Sequence, residues 1–404
     1  MEEEQGNAER SPIGERPTTL WRRHARVKDI PGVPWRPRQT ALVVGKTLAV
    51  LFGASIVIVT AIDAVSTLVT TRRGRGRWWP TEVFYRTTWR AWRRLARRIR
   101  RDQKREAFLS VYGPASLLGL LVVWIFLQLV GWSFVWLGLR SQTSGVDNFV
   151  DAVYFAGVGF FTIGFGDVLP TRGLARLLTV FEAFTGVLTT ALVIGYLPTL
   201  YGAYSRREEL LPTLDTVFQD HVSGLGLIAA HYPQGSPDVL WEFCDEWERW
   251  CAAVEVSHGA YPMLALFRSQ RPNQSWVAAL SILADMSVTL SAVVDVPRKT
   301  DALRLYRRTV RVIEVVTHRI PSLPPATQAD PLTESDFRTG FDLLAARGAP
   351  LRPFDDAWAD VRAMRAAYLP QLGALTDALV VSREFHAPAL PIPRRLIPTV
   401  PTNS

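Results

Sequence analysis

Residues Ala152–Pro170 read AVYFAGVGFFTIGFGDVLP, and the core of that stretch is Thr162-Ile163-Gly164-Phe165-Gly166-Asp167. Gly164 and Gly166 alternate with larger residues, so every second position can take backbone angles that bulky or β-branched side chains resist. On either side lie hydrophobic segments, Ala115–Leu137 without a single charge and Leu174–Tyr204 interrupted by Glu182. A third runs from Ala41 to Val69, with Lys46 and Asp63 near its ends. A bilayer core of ~30 Å needs ~20 apolar helical residues, and each segment is long enough. Trp132 and Trp136 stand near the end of the middle one, as an interfacial aromatic belt requires. The expected fold is therefore an all-α membrane protein. Irregular backbone at membrane depth is tolerated only where it is buried in protein or lines a cavity.

Alternating backbone hand can turn successive carbonyls toward one axis. Four chains around that axis would offer rings of oxygens from Thr162, Ile163, Gly164 and Phe165, with the Thr162 hydroxyl adding one more. Such rings replace the hydration shell of a cation. The motif resembles the selectivity filter of the potassium-channel pore superfamily, Thr-Val-Gly-Tyr-Gly-Asp, in which the Phe variant also occurs; the likeness extends to bacterial channels with one pore per subunit. It covers residues 107–204: outer helix, pore helix (Asp151–Phe161), filter and inner helix. It implies K+ as the permeant ion, no cofactor, and a homotetramer, because each chain carries one filter. Gly166 and Asp167 become filter supports, with Tyr154 within reach of Asp167 behind the filter. Gly186, nineteen residues beyond Asp167, falls where such channels carry a hinge glycine. Val187, Thr190 and Ile194 follow at helical spacing and either line the cavity or face the outer helix. Pro198 removes a helix donor and can bend the cytoplasmic end. Glu182, an ionisable residue within the span, is either a gating residue or a structural bond to the pore helix. The chain departs from the family at Gly159, where a Thr is usual, at Val158, where some relatives are acidic, and at Phe165, which has no hydroxyl to donate. Those departures bear on filter rigidity and selectivity.

Outward from the pore, Arg72–Glu106 holds 14 basic and three acidic residues. The positive-inside rule puts this linker in the cytoplasm, and the C-terminal domain with it. Trp89, Trp92, Leu95 or Ala96, and Ile99 recur at three-to-four spacing. That pattern predicts a helix lying on an anionic leaflet, with lipid as partner. A voltage-sensing helix is the lesser alternative, since few apolar residues separate the arginines. The N-terminal tail is expected outside if Ala41–Val69 spans, and inside if that segment is re-entrant. No cleavable signal peptide is expected, because no apolar core begins before Ala41.

The expected organisation is a tail (1–40), a first membrane helix (41–70), the basic linker (71–106), the pore domain (107–204), a helical cytoplasmic domain (205–385) and a Pro-rich tail (386–404). In the helical domain, Ser236-Pro237 reads as a helix start, and Leu303–Ile320 and Phe354–Phe385 show amphipathic periodicity. Pro321, Pro324, Pro325 and Pro331 mark a linker. Ser275–Val294 is apolar enough to be a fourth span, yet Asp285 at its centre favours a bundle helix. The net charge is +9, and two cysteines among 404 residues exclude a disulfide scaffold and a four-cysteine zinc site. Cys244 and Cys251 lie on one helix face as reduced packing residues. Gly45-Lys46-Thr47 lacks the upstream glycine of a nucleotide loop. The six histidines make no metal pattern, and no enzyme or nucleic-acid partner is expected. The reading is a multi-pass potassium channel of the cell membrane. Its alternatives are a weakly selective cation channel and a membrane sensor or adaptor whose pore does not conduct.

Overall fold

A computed structural model describes residues 37–69, 78–217, 224–231, 238–269, 275–320 and 330–381. The expected start at Ser236-Pro237, most of the proline linker and both tails lie outside the described residues. Residues 1–45 and 46–404 form two units. Of the first, only Pro37–Gly45 is described, as the opening turns of α1 (Pro37–Val69).

The chain then forms α2 (Pro80–Ala96), α3 (Asp102–Gly138), α4 (Phe149–Phe160) and α5 (Gly173–Glu209). Among the described residues, three helices are long and apolar enough to cross a membrane: residues Val43–Leu68, Asp102–Gly138 and Gly173–Leu214. The protein is an all-α membrane protein. A minimal antiparallel pair, β1 (Thr143–Ser144) with β2 (Leu169–Pro170), ties the start of the pore loop to its exit; Thr143 faces Pro170 and Ser144 faces Leu169.

At 37 residues each, α3 and α5 are about 55 Å long, against an apolar bilayer core of about 30 Å. The surplus enters a second body of helices: α6 (Leu211–Val217), α7 (Gly224–His231), α8 (Asp238–Ala260), α9 (Trp276–Ala292), α10 (Lys299–Arg319), α11 (Glu334–Ala346), α12 (Phe354–Ala366) and α13 (Leu369–Leu379). Helix α3 is the spine, and three apolar clusters succeed one another along it. Leu109 and Tyr112 belong to the core of the helical body. Leu117, Leu120 and Trp124 join Ala64, Tyr85, Leu200, Ala203, Tyr204, Met263 and Leu264 at a junction. Trp132, Val135 and Trp136 join Phe155, Ala156 and Phe160 around the pore loop. The boundaries expected at 106/107 and 204/205 thus fall inside continuous helices. Apolar periodicity marks where a span ends, but these helices continue past it, with Leu109 and Tyr112 of α3 and Arg207 of α5 buried against the helical body.

Helix α1 crosses α3 where both lack side chains: a Cβ on Gly53 would overlap the Gly131 carbonyl oxygen. Small residues permit this backbone approach in membrane helix pairs. Near its end, Asp63 is fully buried. Its Oδ2 accepts from Trp124 Nε1 (2.9 Å), Thr81 N (3.0 Å) and Thr81 Oγ1 (2.6 Å). One carboxylate joins α1, the start of α2 and the middle of α3.

Helix α2 corrects an expectation. Much of its apolar face packs on protein, while Leu95 remains exposed. Trp89 and Ala96 are buried in the core of the helical body. Trp89 Nε1 donates to Ala378 O (3.3 Å), Trp92 stacks on Phe108 (centroids 4.3 Å apart), and Thr88 shares a 2.9 Å hydrogen bond with Tyr112. The periodicity correctly marks a buried stripe, but a stripe does not state whether lipid or protein covers it. Arg94, Arg97 and Arg98 remain exposed.

Helix α9 is a bundle helix rather than a span. It is capped by Ser275 and packs against α7, α10, α12 and α13. Asp285 accepts from Arg365 Nη1 and the Tyr368 hydroxyl, and Arg365 also pairs with Asp330 (2.9 Å). Burial pushes Asp285 up despite Arg365. Cys244 and Cys251 are free and buried, and burial pushes both thiols up to about 12.

Candidate functional site

The pore loop is launched by a capping box. Asn148 Oδ1 accepts from Val150 N (2.8 Å) and Asp151 N (3.1 Å), while Asp151 Oδ2 accepts from Asn148 N (3.1 Å). Reciprocal capping fixes where a helix starts. The pore helix α4 therefore begins at Phe149, two residues before the expected Asp151, and ends at Phe160.

The chain then leaves helical geometry, still tethered to it. Phe161 N donates to Gly157 O (3.0 Å), Thr162 N to Gly159 O (3.0 Å) and Ile163 N to Val158 O (2.9 Å). Thr162, Gly164 and Gly166 have φ of 56°, 68° and 80°, respectively. Every second residue of Thr162–Gly166 is thus left-handed, as the glycine alternation requires. Left-handed geometry costs an L-residue about 1–2 kcal/mol. A β-branched Thr held there is a departure of the kind that persists only where its surroundings over-determine it. The Thr162 hydroxyl donates to Phe161 O (2.7 Å).

Thr162, Ile163, Gly164, Phe165, Gly166 and Asp167 are all exposed in the single chain. Tyr154 and Asp167 are brought together: the Tyr154 hydroxyl donates to Asp167 Oδ2 at 2.7 Å. The rings of Tyr154 and Phe165 lie parallel, 6.5 Å between centroids. The Tyr154 ring thus lies beside Phe165 with its hydroxyl on Asp167.

The inner helix α5 is unbroken through Gly186 and Pro198. Gly186 is where α5 presses on the pore helix, since a Cβ there would overlap the Phe160 carbonyl oxygen. The hinge implied by the resemblance is, in this conformation, a close-packing position. One turn earlier, Glu182 is buried, and its Oε2 accepts from Trp136 Nε1 at 2.9 Å. Val187, Thr190, Ile194 and Pro198 are exposed in the single chain. They do not face the outer helix of their own chain.

One residue escaped sequence reading. Arg207, at the end of α5, is 2% exposed. Its Nη1 donates to Leu264 O and its Nη2 to Phe267 O (2.9 Å each), and it pairs with Glu208 at 2.7 Å. Trp250 Nε1 donates to the Arg207 carbonyl (2.8 Å), and the rings of Tyr204 and Trp276 each lie 5.2 Å from the guanidinium. The inner helix is thereby clamped into the helical body. Arg206-Arg207 looks in sequence like an ordinary basic helix end, and no periodicity distinguishes the two.

Residues 120–201 match the family model described as ion channel. Over these residues the chain is similar to that family. The match takes in Thr162–Asp167 and most of the two long helices on either side. The channel description points to transport rather than to an enzyme, and it agrees with the resemblance to the potassium-channel pore superfamily. An uncharacterized membrane protein of Bacillus subtilis, YdjJ, is 26% identical over 193 residues, which are 45% of this chain and 54% of that protein. Two-pore potassium channel 4 of Arabidopsis thaliana is 39% identical over 70 residues, 17% of this chain and 23% of that one. The chain thus covers about half of the first relative and a quarter of the second. No solved structure gives a significant match.

Proposed function

We propose that the chain is one subunit of a potassium-selective channel in the cell membrane, four subunits meeting on a common axis. The observation that carries this reading is the left-handed alternation at Thr162, Gly164 and Gly166, hung from the end of a short helix between two spans. On it, the carbonyls of Thr162, Ile163, Gly164 and Phe165, with the Thr162 hydroxyl, bind dehydrated K+. The negative end of the α4 dipole adds attraction for a cation. Gly166, Asp167 and Tyr154 hold the outer end of the filter. Val187, Thr190 and Ile194 line the cavity, and α5 with Pro198 forms the gate.

The C-terminal helices are read as cytoplasmic. Helix α2 shares a core with them, so the two lie on one side of the membrane, and the positive-inside rule selects the cytoplasm. The outward arginines of α2 face anionic headgroups, which attract about 1 kcal/mol per well-placed charge. The clamp at Arg207 makes the helical body a candidate controller of the gate.

A weakly selective cation channel is the second reading, favoured by the loss of the hydroxyl at Phe165. Ion flux through purified protein in liposomes tests both. Potassium flux that excludes sodium is expected, with Gly164→Ala abolishing it, because a Cβ resists φ of 68°. Equal potassium and sodium flux supports the second reading. No flux from the wild type leaves a sensor or adaptor with a closed pore.

A further inference from the structure

The carboxyl of Glu182 lies behind the filter, at a point where the pore helix has no side chain. Glu182 is fully buried within its own chain. Lipid, cavity water and a neighbouring subunit therefore do not reach it, and whatever holds it belongs to this chain. Its Oε2 accepts a hydrogen bond from the Trp136 indole N–H, while its Oε1 has no hydrogen-bond partner among the described residues. Gly159 of α4 stands against it: a Cβ there would sit 2.7 Å from Glu182 Oε2 and 3.2 Å from Cδ. One turn along α5, Gly186 presses on the Phe160 carbonyl. Two consecutive residues of the last turn of α4 thus rest on positions 182 and 186 of the inner helix.

That turn carries the filter. Thr162 N is bonded to Gly159 O, and Ile163 N to Val158 O. A displacement of Gly159 passes through one hydrogen bond to the first filter residue. Burying a carboxyl with an unmatched oxygen is costly, which an arbitrary packing residue would avoid.

We infer that Glu182 is a positioning residue for the filter: held by Trp136, its carboxyl fills the space left by Gly159 and props the turn from which Thr162 and Ile163 hang. The inner helix thereby supplies the support that a pore-helix side chain would otherwise give. A movement of α5 at this level is transmitted to the filter as well as to the gate. The inference rests on the channel reading of the pore loop.

The test pairs two measurements on full-length protein. Potassium and sodium permeabilities are recorded in liposomes for wild type, Glu182→Ala, Glu182→Gln and Trp136→Phe. Thermal melting in detergent is recorded for wild type, Gly159→Ala, Glu182→Ala and their double variant. Leaving the buried Trp136 N–H unmatched should lower the potassium-to-sodium ratio about tenfold in Glu182→Ala. Glu182→Gln, which keeps an acceptor for the indole, should recover most of the ratio, and Trp136→Phe should lower it. Gly159→Ala should destabilise the wild type more than it destabilises Glu182→Ala, because the added methyl then meets empty space.

Wild-type flux with an unchanged ratio in Glu182→Ala would overturn the positioning role, even if melting fell. A wild type that passes no cation would sink the channel reading instead, and the melting series would still report whether the Glu182–Gly159 contact exists. Additive melting shifts would show that it does not.

Discussion

At the scale of single residues, the pore loop depends on atoms that are missing. Gly164 and Gly166 lack a Cβ so that the backbone can turn left-handed. Gly186 lacks one so that α5 can touch the Phe160 carbonyl. The second case predicts a sharp contrast along one helix. Gly186→Ala forces a methyl into a backbone oxygen, and overpacking of this kind costs about 1–3 kcal/mol or more. Gly195→Ala, in the same helix, meets nothing within 4 Å of its own chain. Thermal melting in detergent should therefore fall by several degrees for Gly186→Ala and hold or rise for Gly195→Ala. Equal shifts would show that the α4–α5 contact is looser than described. A hinge reading of Gly186 differs in its consequence: it predicts altered gating with unaltered melting.

At the scale of elements, the inner helix ends in the helical body rather than in water. Arg207 reaches two backbone carbonyls of the segment after α8, and α8 answers with Trp250 and His258. His258 is fully buried. Its Nδ1 lies 3.1 Å from the Val254 carbonyl, which assigns the proton there and turns Nε2 toward Arg207 Nη1 at 3.4 Å. Burial first, and the Arg207 charge second, lower the imidazole to about 3 from its usual 6.5. The unfolded chain then binds the extra proton between those values. Stability contributed here is complete above pH 6.5 and is lost as the pH falls toward 3. The slope is up to about 1.4 kcal/mol per pH unit. Melting between pH 7.5 and 5 should fall for the wild type and flatten for His258→Gln, which carries no titrating group. An unchanged slope in the variant would assign the acid sensitivity elsewhere.

At the scale of the molecule, the single chain leaves apolar surface of the loop and of α5 uncovered. Ile163 and Phe165 of the filter, and Val187 and Ile194 of α5, are 52%, 69%, 56% and 68% exposed. Such apolar exposure on a membrane helix or the loop beside it faces lipid or a second copy. On the proposed channel reading, one set of carbonyls per chain closes into a filter only when four chains surround the axis. Native mass spectrometry in detergent should give a four-chain particle. A dimer as the largest assembly, stable across detergents, would contradict the pore. Since α2, α3 and α5 share cores with the helical body, each subunit should keep that body attached to its own pore helices.

The sequence by itself determined the three long helices and the pore helix with its glycine-alternating loop, and for α9 it favoured a bundle helix, which burial on all sides then decided. Each is a local matter. Uninterrupted apolar length, alternating glycine and a mid-helix acid act through the chain's own backbone and solvation. The Tyr154–Asp167 bond was legible for the same reason, since thirteen residues around one turn bring the two together. What covers an apolar stripe was not legible. Trp89 and Trp92 would read alike under lipid or under protein, and only the path of the chain puts Ala378 and Phe108 against them. The roles of Glu182, Gly159 and Gly186 were also left to the tertiary structure. A buried carboxyl and two glycines acquire meaning from a contact between helices α4 and α5, and no spacing along one helix encodes the distance to another.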